Sequence, residues 1–502
     1  MKKNKGWYKP KAYLHISPKL VKADKTSVLK YIQTNLRNHH FFPLVHETLS
    51  TRRYKKLQNG DRSHFDYFSD DPKPTAKKRE IFYPNHLDAH IYAYYAQEIL
   101  GKQYEKVLKT DILLDQAVTA YRKIPINSDE DTNKCNIEFA KEVFDEIRRR
   151  KNCIVVCYDI ENFFPSLNHE YLKACWRDLL GVERLDPIHF KIYESITKYS
   201  YVELDDIVKT CIDEGRGLLK KHDFISSKIT SYFINAREFR KKIASKNLIK
   251  VNPLNHPNHK EPAIKERRGI PQGTPLSAFL ANLYLLEFDR FIVENIVKQE
   301  NCFYRRYSDD IVIIFNNEYE FEKWDKEVRS RISSGPFHLK INESKTIISR
   351  FKETRNTIAC ITKPENSKEY TPGIHLRYLG FDFDGNTILI KDASLSQYHR
   401  DIKMALRSKG NRVKKAQRLN LYEPLPKHRD TKLYLTKLIR RFTHLGKNKA
   451  KSNYLTYIDR SARTMYPDVE DFKQTPIRKQ VRRSWSVFNK TADKYRYENW
   501  NI

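Results

Sequence analysis

Two adjacent carboxylates, Asp309 and Asp310, lie in the run Phe303-Tyr-Arg-Arg-Tyr-Ser-Asp-Asp-Ile-Val-Ile-Ile-Phe315. Strand-forming residues flank them on both sides, a pattern that reads as a β-hairpin with both acids at its turn. Neighbouring carboxylates repel, so keeping both ionised beside an apolar core calls for a cation next to them. Divalent cations clamped by carboxylates are a standard device for in-line phosphoryl transfer. The competing reading is an ordinary polar hairpin tip, where Asp is a common turn residue.

Two further stretches favour the chemical reading. The apolar run Cys153-Ile-Val-Val-Cys-Tyr ends on Asp159, and the aromatic pair Phe163-Phe164 follows. A third carboxylate at a strand end would complete a two-metal set. Between these acids lies Arg268-Gly-Ile-Pro-Gln-Gly-Thr-Pro-Leu-Ser277, in which Gly269, Pro271, Gly273 and Pro275 punctuate a loop before a helical pattern. A loop of this kind opening a helix offers backbone N–H groups to a phosphate or a template strand.

Taken in chain order, these segments resemble the reverse transcriptase family. Asp159-Ile-Glu-Asn-Phe-Phe-Pro-Ser resembles the first catalytic motif of the palm, and Gly269-Ile-Pro-Gln-Gly-Thr-Pro-Leu-Ser the Pro-Gln-Gly motif under the incoming nucleotide. Tyr307-Ser-Asp-Asp resembles Tyr-X-Asp-Asp, and Leu339-Lys-Ile-Asn-Glu-Ser-Lys345-Thr the motif whose Lys protonates the leaving pyrophosphate. Arg377-Tyr-Leu-Gly380-Phe resembles the Leu-Gly motif of the primer grip. Upstream, Lys77-Lys-Arg79-Glu-Ile-Phe-Tyr resembles the fingers motif that holds the triphosphate, and Tyr121-Arg122-Lys-Ile-Pro the short Arg-Pro motif before the palm. Each motif is weak alone; their order, from about 75 to 385, is specific.

The resemblance implies an α+β fold: a right-hand polymerase with fingers and palm, followed by a helical, basic, thumb-like C-terminal domain. It also implies roles. Asp159, Asp309 and Asp310, with the Ile160 carbonyl, would hold two Mg²⁺ ions, or Mn²⁺ in their place. Lys345 would be the general acid. Lys78 and Arg79 would neutralise the triphosphate, Arg being suited to bidentate phosphate contact. Phe164 would exclude a 2′-hydroxyl by offering it neither room nor a hydrogen-bond partner, which favours deoxynucleotides. Gln272 would touch the nucleotide, while Arg122, Tyr307, Leu379 and Gly380 would meet template or primer. Plainer readings stand beside these. Lys77 to Arg79 is also a solvated basic run, Lys345 a solvated strand-edge residue, and one of Phe163 and Phe164 a core aromatic.

Composition agrees with a nucleic-acid partner. The chain has 502 residues, with 94 Lys plus Arg against 62 acids, a formal charge of +32 spread along its length. Broad basicity with 12% aromatic residues suits phosphate contacts and base stacking. Charge alone would equally suit a ribosome-associated or anionic-membrane protein. No apolar run approaches the ~20 residues of a membrane span. The seven cysteines form no CxxC pair and read as free thiols in a reducing cytoplasm. His256 and His259, without a Cys nearby, read as a polar loop before a zinc site.

The expected organisation is an N-terminal extension over 1–75, fingers over 76–150, and a palm over 151–390 with an insertion at about 171–265. A helical thumb-like or interaction domain follows over 391–502. Helical periodicity marks Leu20–Leu36, 86–108 and 137–150, and the stripe Leu435, Leu438, Ile439, Phe442 leaves Lys437, Arg440 and Arg441 off the apolar face. Arg52-Arg-Tyr-Lys-Lys is expected to face the template, and Val251–Lys260 to be a loop.

Among bacterial reverse transcriptases, retron enzymes carry a Val-Thr-Gly motif that is missing here. Group II intron enzymes carry a maturase domain, which the stretch from 391 does not match. The favoured group is the defence-associated and abortive-infection enzymes, which implies antiphage function, a dedicated non-coding RNA as template or scaffold, deoxynucleotide substrates, a DNA product and a homo-oligomer. Some members prime from a protein hydroxyl. The rivals from other classes are a non-catalytic RNA-binding scaffold and a metal-dependent nuclease. Clustered acids are costly in a mere scaffold, and a nuclease does not explain Phe164 or the Pro-Gln-Gly loop.

Overall fold

A computed structural model describes residues 6–51, 76–127, 132–213, 230–252, 267–343, 345–355, 357–363, 369–422, 433–446 and 453–497, with short backbone stretches between 55 and 74. Its principal strands are β1 (Leu44–Thr51), β2 (Lys77–Tyr83), β3 (Cys153–Asp159), β4 (Ser200–Glu203), β5 (Lys250–Val251), β6 (Phe303–Tyr307), β7 (Asp310–Phe315), β8 (Ile347–Thr354), β9 (Thr357–Lys363), β10 (Thr371–Pro372), β11 (Leu376–Tyr378), β12 (Phe381–Phe383) and β13 (Ile388–Ile390).

The palm is a six-stranded sheet ordered β6-β7-β3-β8-β9-β10. Its central strand explains the unbroken apolar run 153–158, because helices cover both faces of the sheet. Ile154, Val156 and Tyr158 join one core with Ile311, Ile313 and Phe315 of β7. Cys153 and Val155 join the other with Val312, Ile314 and Phe351. The helix Asn136–Arg150 lies on this second face, burying Ile137, Val143, Phe144 and Ile147. Glu138 and Cys135 cap its start, and Lys151, at φ +63°, ends it.

The fingers sheet is ordered β2-β1-β4-β5, with β1 antiparallel to β2 and parallel to β4. The expected boundaries therefore change. Residues 1–75 are not an appendage, since β1 is the hydrogen-bonded partner of β2. The stretch 171–265 is not a simple insertion either, since β4 and β5 complete the same sheet. Leu14, Ile16, Val45, Val202, Ile207 and Phe239 share one core beneath it. Earlier in that stretch, Leu172, Trp176, Ile192 and Ile196 are fully buried in the main core. Arg52–Tyr54 and 253–260, including His256 and His259, lie outside the described residues.

The helix expected over 86–108 is present as His86–Tyr94 and Leu100–Leu108, joined by a π-helical turn at Tyr95–Ile99. A small sheet, β11-β12-β13, follows the palm and leads into the helices Asp392–Tyr422, Thr436–Phe442, Tyr454–Met465, Pro476–Gln480 and Ser484–Tyr497. Leu435 and Phe442 are buried while Lys437, Arg440 and Arg441 are exposed, as the stripe indicated. Among the described residues no helix is long and apolar enough to cross a membrane. All seven cysteines are free thiols.

Fingers and palm meet through backbone. The Phe82 N–H donates to the Gln272 carbonyl at 2.8 Å, and Gly273 sits beside it at φ +121°. A Cβ at Gly273 would lie 2.7 Å from the Phe82 oxygen. Gly273→Ala combines that clash with a backbone conformation L-residues avoid, and is expected to cost about 1–3 kcal/mol. Chemical denaturation checks this; an unchanged midpoint would mean that the two units do not need this close approach.

Candidate active site

The acids are brought together by strand register. β6 and β7 form a two-residue hairpin in which Tyr307 pairs with Asp310, and Ser308, at φ +61°, is the first central residue. Asp309 is thus the second turn residue, and Asp310 is the first residue of β7 rather than part of the turn. Asp310 also pairs directly with Asp159 at the end of β3. Paired residues point to the same face. Alternation puts Tyr307, Asp310 and Asp159 on the face shared with Val155, Val312 and Ile314, on the side of the β11–β12 hairpin.

Residues 340–342 run alongside the end of β3. The Glu161 N–H donates to Lys340 and the Asn342 N–H to Asp159, each at 2.7 Å, around the pair Ile160↔Ile341. In such a pair the carbonyl of Ile160 points away from residue 341, toward the β7 side. That segment also delivers Lys345, whose Nζ lies 3.1 Å from Asp159 Oδ2.

The electrostatics are those of a crowded anionic site. Loss of water pushes Asp309 above its ordinary range, and the Asp159 charge adds to the shift. Asp310 is pushed up to about 7, first by desolvation and then by repulsion from Asp309 and Asp159, with Lys391 and Lys77 acting in the opposite direction. The Asp310 side chain still reaches solvent. Oxygen donors that repel one another suit a hard divalent cation. Among the described residues no three His, Cys, Asp or Glu side chains already converge as a closed metal cage. Mg²⁺ commonly takes one or two carboxylates and completes its shell with water and substrate phosphates, so an open donor set of this kind fits it.

The nucleotide side is built by β2 and the 269–277 loop. Alternation places Lys78 and Glu80 on one face, where Glu80 accepts from His46 and Thr48, and Lys77, Arg79 and Ile81 on the other. Ile81 approaches Gly273, and the Lys77 charge acts on both Asp309 and Asp310. The face toward the acids therefore carries Lys77 and Arg79, not Lys78. Phe163 is buried, whereas Phe164 is half-buried, and its carbonyl accepts from the Ile270 N–H at 3.0 Å. Gln272 is half-exposed in the adjoining loop. Thr274 caps the helix Pro275–Tyr284 that follows.

On the opposite side, Leu379 (φ +44°) and Gly380 (φ +93°) form the two-residue turn between β11 and β12. Positive φ at both central positions is the type I′ pattern, which Gly eases at the second. Asn136 Nδ2 donates to the Leu379 carbonyl and the Lys391 N–H to Gly380. Arg122 does not fit a template contact. Its five N–H donors are spent on Glu105, Asp115 and the carbonyls of Asp115 and Val118. A guanidinium so engaged braces the chain before the palm.

One group under the site escaped sequence reasoning. Arg306 and Asp289 form a salt bridge at 2.6 Å with both side chains 0% exposed. Tyr304 Oη donates to the same carboxylate, and Arg306 also donates to Asn282 and to the Ser308 carbonyl. This buried pair holds the turn that carries Asp309. Lys391 was likewise not singled out, its only signal being proximity in the fold, and Lys77 stood in the fingers motif without a role of its own.

A sheet edge carrying three carboxylates, faced by a basic strand, a Gly-Pro loop and a tight hairpin, defines the palm of a right-hand nucleic-acid polymerase. Residues 221–383 match the family described as Reverse transcriptase (RNA-dependent DNA polymerase). The chain thus carries a stretch matching a reverse transcriptase domain, over about a third of its length. The matched stretch includes Gln272, Asp309, Asp310, Lys345 and Gly380, and begins after Asp159. No curated protein matches the sequence. Solved structures with some likeness include apo telomerase from Candida tropicalis, at 11% identity and TM-score 0.35, covering 95% of this chain and 67% of that one. A C-terminally truncated form covers 74% and 61%, at 10% identity and TM-score 0.35. Telomerase from Candida albicans with a TWJ fragment of telomeric RNA covers 97% and 71%, at 11% identity and TM-score 0.37. This chain therefore spans less than two thirds of the length of the truncated form.

Two outcomes follow from the site. Arg306→Gln or Asp289→Asn leaves a buried group without its counter-charge, and is expected to cost about 3–5 kcal/mol; a loss below about 1 kcal/mol in denaturant titration would show the pair to be dispensable. The pH dependence has a definite sign. A carboxyl raised to about 7 in the folded state contributes stability that is complete below its ordinary value and lost as pH rises through about 7. Asp310→Asn is therefore expected to raise the Tm of the metal-free protein more at pH 8.5 than at pH 5. An equal shift at both would remove the repulsion argument.

Proposed function

We propose that this protein is an RNA-directed DNA polymerase that copies a dedicated non-coding RNA by two-metal nucleotidyl transfer. The reading rests chiefly on the pairing of Asp159 with Asp310 on the sheet face toward the Leu379–Gly380 turn. Two Mg²⁺ ions, when bound, would activate the primer 3′-hydroxyl and neutralise charge on the leaving pyrophosphate. Asp159, Asp309 and Asp310 supply carboxylate oxygens for them, and the Ile160 carbonyl supplies another. Lys345 holds Asp159 in the resting site and is the proton donor for the leaving group. Arg79 and Lys77 line the triphosphate path from β2, while Gln272 and Phe164 contact base and sugar. Tyr307 and the Leu379–Gly380 turn support the primer end.

The setting we infer is antiphage defence in the cytoplasm, with the protein acting as a homo-oligomer bound to its RNA. This rests on the likeness of the motif set to defence-associated enzymes and on a C-terminal helical region distinct from a maturase.

The test uses protein purified with its native nucleic acid, given Mg²⁺ and labelled deoxynucleotides, with the co-purified RNA and the product sequenced. DNA complementary to one discrete RNA is expected. Asp309→Ala or Asp310→Ala should abolish incorporation while RNA affinity changes less than twofold; full activity in either would remove the two-metal assignment. Phe164→Val should admit ribonucleotides, and unchanged sugar selectivity would place that gate elsewhere.

A further inference from the structure

The C-terminal helical region contains a cavity of about 490 Å³, between the end of Thr436–Phe442, the start of Tyr454–Met465 and the junction of Pro476–Gln480 with Ser484–Tyr497. Lys473, Lys479 and Arg482 line it, together with Gln474, His444 and Trp485. Among the described residues no carboxylate lines it. Its fourth cation, Arg478, is taken by Asp459 at 3.1 Å, whereas the side chains of Lys473, Lys479 and Arg482 have no partner among the described residues.

Like charges gathered round a hollow repel, and an anion inside it would offset that cost. The aromatic lining narrows the choice of anion. Trp485 is 38% exposed, and its ring is held parallel to Phe488 at 5.8 Å and edge-on to His444 at 5.5 Å. A fixed, partly exposed indole beside unpaired cations is the arrangement that stacks a base and grips its phosphates. Gln474 and His444 add hydrogen-bonding groups for a base edge. The volume is that of a small-ligand site, not of a duplex groove.

We propose that this cavity anchors one unpaired nucleotide of a single strand, outside the polymerase cleft. The base stacks on Trp485, and Lys473, Lys479 and Arg482 hold the flanking phosphates. The site is braced against the small sheet: Gln480 exchanges two hydrogen bonds with Ile390, at 2.9 and 3.0 Å. Because β13 belongs to the sheet carrying the Leu379–Gly380 turn, a strand held here is kept at a set distance from the primer end. The inference takes its ligand class from the polymerase reading; the cavity and its lining do not depend on it.

The test measures binding of the full-length protein to short labelled single-stranded RNA, single-stranded DNA and blunt duplex of the same sequence. Trp485→Ala and Lys479→Glu/Arg482→Glu are each expected to weaken single-strand binding about tenfold. Duplex binding, and incorporation on a preformed primer–template, should stay within twofold. The charge variant should also flatten the salt dependence by about 0.7 for each phosphate it no longer neutralises. Preference between RNA and DNA arms identifies which strand is anchored. Unchanged single-strand affinity in both variants, or an equal loss for duplex, overturns the proposal. If Trp485-dependent binding persists while the wild type incorporates nothing, the polymerase reading fails and the anchor site stands.

Discussion

Three negative charges must be held side by side at one edge of a sheet, and most of the palm answers that constraint. The register pairing of Asp159 with Asp310 fixes their separation through backbone hydrogen bonds rather than through side-chain contacts. A sheet buried on both faces resists the slip that would part them, because a shift of one residue would move every side chain of β3 and β7 into packing shaped for its neighbour on the opposite face. The helices on either side thus do more than cover the core: they make the repulsive geometry the cheapest one available.

The buried Arg306–Asp289 pair belongs to the same logic. It is an expensive way to fill an interior, and an apolar pair of similar volume would cost less. Its value lies in direction. A guanidinium that reaches both Asp289 and the Ser308 carbonyl fixes a turn whose first central residue is in the left-handed region. The acid at the tip is then presented without a flexible linker. Arg122 acts similarly one segment earlier, with its donors spent on the chain that leads into the palm.

Much of this was legible in the sequence. The acids, the apolar run before Asp159 and the Gly-Pro loop each carry a local signature, and the structure brings them together with Lys345. What was hidden depends on register or on distant partners. Lys77 and Lys78 are indistinguishable until β2 is paired, because alternation assigns faces only once one residue is anchored. Arg122 looks available until its acceptors, supplied from other segments, are seen. Arg306 reads as an ordinary strand cation because its partner lies 17 residues upstream on a helix. The fingers strands were missed for another reason: β4 and β5 are too short and polar to show period-two alternation.

The parallel pairing of β1 with β4 also orders events in time. His46 and Glu203 touch across this pair although 157 residues separate them. During synthesis the N-terminal strand must therefore wait, unpaired on that edge, while the helices around Asn136–Arg150 and the start of the palm emerge. Contacts of such high sequence separation close late and slow folding. The fingers become a finished platform only after the chain has passed β5, so β3, with Asp159 at its end, emerges before the fingers sheet that will face it can close.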